Sequence, residues 1–100
     1  MKKAFIATIA TLALAACEYG QTRSSFQLKV AGKTFDEAVS AAGKPVRQES
    51  RSTGETVLVY EKKTFDSENM NAKDAAVHVT FRKDPRTGRL EYSGIEFIPL

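Results

Sequence analysis

Few side chains in this chain are of types that carry chemistry, and their spacing restricts what that chemistry can be. Among 100 residues there is one histidine, His78, and one cysteine, Cys17. A metal site needs several converging nitrogen, sulfur or carboxylate donors, and His78 has no companion at ligand spacing. It falls on the polar parity of an alternating stretch, where a solvated histidine is expected. Serines are frequent, but no Gly-x-Ser-x-Gly turn raises one as a nucleophile. Glu91 and Glu96 would have to flank a groove to act as an acid–base pair, and on alternating edge strands such carboxylates usually face water. Gly32-Lys33-Thr34 has the end of a phosphate-binding loop without its first glycine. Asp66, Glu68 and Asp74 lack the spacing and the turn glycine of an EF-hand loop. The expectation is a binding protein rather than an enzyme, with no catalytic residue, no metal, no cofactor and no small-molecule substrate.

Cys17 differs because of what precedes it. Lys2 and Lys3 make a short basic start, and Ala4 to Ala16 is an uncharged, mostly apolar run of 13 residues. As a helix the run would extend about 20 Å, too short for a hydrocarbon core of about 30 Å. It suits the apolar region of a signal peptide. The run closes on Leu14-Ala15-Ala16-Cys17, with small residues where a peptidase must approach the backbone. An unpaired thiol in an oxidising compartment is a liability, which weighs against an ordinary secretory signal. Leu-Ala-Ala-Cys resembles the lipobox of bacterial lipoproteins. The resemblance implies removal of residues 1–16, a diacylglyceryl thioether on Cys17, and acylation of its freed amine, with palmitate as the expected chain. Several acyl chains hold a protein firmly where one binds only reversibly. Enteric lipoproteins kept in the inner membrane commonly carry aspartate after the cysteine. Glu18 therefore implies the outer membrane, with the domain facing the periplasm.

Cleavage would leave Cys17 to Leu100, enough for one small domain over 25–100 behind a short polar tether over 17–24. The formal charge of +3 is partly a property of the signal. Loss of Lys2 and Lys3 leaves thirteen basic residues against twelve acidic ones. No basic run exceeds two residues, so no nucleic-acid partner is expected.

The elements follow from periodicity. Ser25 to Val30 alternates through Phe26, Leu28 and Val30 and reads as a half-buried strand. Thr34-Phe35-Asp36-Glu37 has the form of a capping box, and Gly43 with Pro45 marks the end of a helix over Phe35 to Ala42. Val46 to Thr53 is an edge strand or a loop. Glu55 to Lys63 reads as a strand. Thr64 to Asp74 is polar except for Phe65 and Met70 and reads as a long loop, whose two apolar residues are candidate partner-binding anchors. Ala75 to Arg82 alternates, and Asp84-Pro85-Arg86-Thr87-Gly88 is turn chemistry. In the last strand Leu90 and Tyr92 have one parity and Ile95 and Phe97 the other, so a bulge at Ser93-Gly94 is needed to bring all four to the core. The expected fold is α+β: one short helix packed on a small antiparallel sheet of three to four strands.

Gly32-x-Thr34-x-x-Glu37-Ala38, Gly43-x-Pro45, Gly54, Tyr60 and the Val77-x-Val79-x-Phe81 hairpin to Leu90 resemble, in that order, the SmpA/OmlA family of lipoproteins. That family includes the small lipoprotein of the outer-membrane β-barrel assembly machine. The resemblance implies an accessory, scaffolding role in envelope or outer-membrane protein assembly, with another envelope protein as partner. The family has two helices ahead of a three-stranded sheet, whereas the segment before Gly32 reads here as a strand, and its aromatic pair is reduced to Tyr60. The alternative class is a phage- or plasmid-encoded exclusion lipoprotein that blocks an outer-membrane receptor, or a membrane-held inhibitor. Gene neighbourhood separates these.

Overall fold

Thr22 starts the first helix. In the computed structural model, which describes residues 18–100, its hydroxyl accepts from the Ser25 backbone N–H at 3.0 Å, and the chain continues as α1, Arg23–Val30. The signal segment and Cys17 lie outside the described residues. Helix α1 corrects the strand expected over Ser25 to Val30. The alternation Phe26, Leu28, Val30 also contains an i, i+4 pair, and only that pair is used. Phe26 and Val30 are fully buried, whereas Leu28 is 79 % exposed. The Phe26 ring meets Tyr60 edge-to-face with centroids 5.1 Å apart, a contact that a three-point alternation cannot foresee.

Helix α2, Phe35–Ala42, begins where its capping box requires. The Glu37 N–H donates to Thr34 Oγ1 at 3.3 Å, and Glu37 Oε1 accepts from the Thr34 N–H at 3.0 Å. The latter bond holds the Glu37 carboxyl below its ordinary range. Gly43 ends the helix at φ 90°, where an L side chain would be strained. The Tyr60 hydroxyl donates to the Gly43 carbonyl at 2.8 Å and so ties the helix end to the sheet. Burial pushes that phenol up to about 12.

The strands are β1 Gln21–Thr22, β2 Arg47–Ser50, β3 Glu55–Glu61, β4 Thr64–Asp66, β5 Ala72–Lys83 and β6 Leu90–Pro99. Strands β2, β3, β5 and β6 form an antiparallel sheet in that spatial order. Strand β4 pairs with the first residues of β5, and β1 lies parallel to β4. The α+β class holds, but the architecture is larger than expected: two helices and a mixed six-stranded sheet rather than one helix and three to four strands. The additional strands are two and three residues long and carry no periodicity of their own. Only long-range pairing defines them.

Two further expectations change with them. The polar tether over 17–24 is part of the domain from Tyr19 onward, since the Tyr19 N–H donates to the Lys62 carbonyl at 2.8 Å and β1 follows. The long loop over Thr64 to Asp74 is a hairpin: β4, a tight turn, and the start of β5. The bulge in β6 falls where parity places it. Thr80 pairs with Gly94 and Phe81 with Tyr92, so Ser93 is the extra residue. Leu90, Tyr92, Ile95 and Phe97 all reach the core formed by α1, α2, Leu58, Tyr60, Val77, Val79 and Phe81.

Candidate functional site

Three places in the domain combine polar or apolar groups beyond what the core needs. The first is a buried ion pair. Asp74, on β5, is 1 % exposed. Arg23, the first residue of α1, grips it with Nε to Oδ2 at 2.9 Å and Nη2 to Oδ1 at 2.6 Å. Thr64 of β4 donates to Oδ2 at 2.8 Å. Arg23 Nη1 also lies 3.4 Å from Asp66, and the guanidinium sits 5.1 Å from the Phe97 ring centroid. Burial raises the Asp74 carboxyl, but the hydrogen bonds from Arg23 and then Thr64 outweigh it and hold the group below its ordinary range. The planar fork of Arg23 suits this bidentate grip, which lysine could not reproduce. The carboxylate accepts three hydrogen bonds, and the cluster ties α1, β4 and β5 together. Sequence reading missed it, placing Arg23 in a tether and Asp74 in a loop. Fifty-one positions separate the two, beyond any local signal.

The second is the sheet face opposite the helices. The register puts Arg47, Val59, His78 and Glu96 in one row, and Glu49, Val57, Thr80 and Gly94 in the next. Glu55, Arg82 and Glu91 follow. Arg82 pairs with Glu55 at 2.8 Å, and Arg47 pairs with Glu49 at 2.8 Å and Glu61 at 3.7 Å. Hydrogen bonds from these arginines hold the Glu49 and Glu55 carboxyls below their ordinary range. His78 is half-buried in this face, between Val59 and Glu96. Among the described residues, no group of three or more His, Cys, Asp or Glu is close enough to hold a metal ion.

The third is a cleft of about 340 Å³ between α2 and β2. Phe35, Val39, Pro45, Val46 and Leu58 line it, with Lys44, Arg47 and Gln48 at its rim. Val46 is 55 % exposed there, and its N–H is satisfied by the Val59 carbonyl at 2.8 Å. Among the described residues, strand β2 has a strand neighbour on one side only, β3. Apolar lining beside a free strand edge is the geometry in which an extended segment of another protein can add to a sheet.

The residues expected as anchors are not brought together as a pair. Phe65 is half-buried within β4, opposite Lys73, while Met70 stands 95 % exposed in the hairpin turn. No described helix is long and apolar enough to cross a membrane. Comparison with protein-family models, with curated proteins and with solved structures finds no match to this chain.

Proposed function

We propose that this chain is a lipoprotein of the outer membrane, anchored through Cys17 and facing the periplasm, that serves as a non-enzymatic scaffolding subunit in envelope or outer-membrane protein assembly. The observation that carries the reading is the α2–β2 cleft. An apolar floor and a free strand edge offer a partner segment both side-chain burial and backbone hydrogen bonds. Two further observations support it. The lipobox leads into the folded domain with almost no spacer, which would hold a bound partner close to the membrane. Apart from the two-residue β1, the two helices precede the antiparallel strands β2, β3, β5 and β6, in keeping with the order that the SmpA/OmlA resemblance implies.

The anchor is tested by Cys17→Ser. The variant cannot form the thioether and should remain an unprocessed precursor, with no label from a clickable fatty acid fed to the cells. Equal labelling of variant and wild type would remove the lipoprotein reading. The cleft is tested by Val46→Asp, which sets a charge into the apolar lining without touching the core. Capture of envelope partners from solubilised membranes should weaken by roughly thirtyfold, the loss of an interface anchor of about 2 kcal/mol. Unchanged capture would move the partner surface elsewhere.

A further inference from the structure

One end of the sheet gathers features that the scaffolding reading does not use. Tyr19 is bonded to Lys62 in the β3–β4 turn, and the Lys73 ammonium lies 5.1 Å from the Tyr19 ring centroid. The Leu100 N–H donates to the Lys73 carbonyl at 3.3 Å, so Leu100 lies at the same place. The β4–β5 turn projects beyond this end and carries Met70. Met70 and Leu100 are 95 % and 80 % exposed.

We propose that this end, with Lys62, Lys63, Lys73 and Met70, rests against anionic phospholipid, so that the domain sits directly on the bilayer in one orientation. The proposal rests on the Cys17 anchor. Only Glu18 separates Cys17 from Tyr19, a reach of at most about 7 Å. An acylated Cys17 would therefore bring this end, and no other, to headgroup depth. The chemistry there fits. Lysines can reach phosphates while their stems lie on the apolar boundary, and each adds attraction to an anionic surface. The nearby carboxylates have arginine partners: Asp74 and Asp66 share Arg23, and Glu61 lies 3.7 Å from Arg47, which also holds Glu49. Two carboxylates thus share each of these guanidinium groups, and among the described residues Lys62, Lys63 and Lys73 make no ion pair, so their ammonium groups can turn to phosphate. Met70 adopts φ 56°, a left-handed conformation in which glycine or asparagine is easier. The turn thus gains nothing from methionine in its backbone, and the side chain is what it displays.

The chain contains no tryptophan, so one can be introduced as a single reporter. Met70→Trp and, at the far β5–β6 turn, Arg86→Trp are made in the full chain, purified from membranes and reconstituted into vesicles of phosphatidylcholine and phosphatidylserine. Flotation reports the anchor. Quenching by brominated acyl chains reports the orientation. Both variants should float, and emission from the Met70→Trp chain should be quenched several-fold more than from the Arg86→Trp chain. Flotation with equal quenching, or with stronger quenching of the Arg86→Trp chain, overturns the orientation and leaves the anchor standing. A chain that fails to float removes the anchor and the proposal with it. Adding Lys62→Glu and Lys63→Glu to the Met70→Trp chain should reduce quenching in the anionic vesicles but not in phosphatidylcholine alone. No difference between the two lipids would overturn the role of headgroup charge.

Discussion

Arg23→Met is expected to destabilise the domain by about 3 kcal/mol, the usual cost of removing one partner of a buried ion pair. Methionine keeps an unbranched apolar side chain but removes the guanidinium from beside Phe97 and leaves the buried Asp74 carboxyl with Thr64 as its remaining side-chain donor. For a domain of this size the melting temperature should fall by roughly 15 °C. The pH dependence separates this cause from lost packing. In the wild type the folded carboxyl titrates below its unfolded value, so its contribution is present above about pH 4 and lost as pH falls through the lower folded value. In the variant burial dominates and the carboxyl titrates above its unfolded value. Its penalty is therefore full at neutral pH and relieved by protonation. The gap between the two proteins, measured as urea midpoints for a form beginning at Glu18, should begin to narrow above about pH 4, as the variant's raised carboxyl protonates, and close as pH falls through the lower wild-type value. A gap constant across pH would assign the loss to packing and sink the ion-pair account.

Phe26→Ala should cost still more, about 4 kcal/mol, from lost apolar burial and the cavity left against Tyr60. Small domains of this kind have about 5–15 kcal/mol in total, so the variant would be close to unfolding at physiological temperature. Leu28→Ala is its control. On a strand Phe26 and Leu28 would share one buried face, and both truncations would be severe. On α1 they face opposite ways, and Leu28→Ala should change stability little. Denaturant unfolding of both variants decides the matter. Comparable losses at the two positions would mean that the segment is not the helix described.

How much of this was legible in the sequence depends on how far apart the interacting groups lie. Helix α2 could be placed to the residue, because Thr34 and Glu37 satisfy each other three positions apart and Gly43 ends it through its own backbone freedom. The β6 bulge was legible from parity alone, since Leu90 and Tyr92 cannot share a face with Ile95 and Phe97 without an extra residue. Strand β5 and the Asp84–Gly88 turn were likewise written in alternation and turn chemistry. The proposed lipid anchor at Cys17 rests on the sequence only. Tertiary structure decided the rest. Six residues of alternation over Ser25 to Val30 fit strand and helix equally, and burial of Phe26 against Tyr60 selected the helix. Strands β1 and β4 are too short and polar to announce themselves and exist because they pair with each other and with β5. The α2–β2 cleft exists only once the sheet brings Leu58 beneath Phe35 and Val46. The Arg23–Asp74 pair joins positions 51 residues apart, so nothing near either residue could reveal that a tether and a loop are one locked corner of the fold.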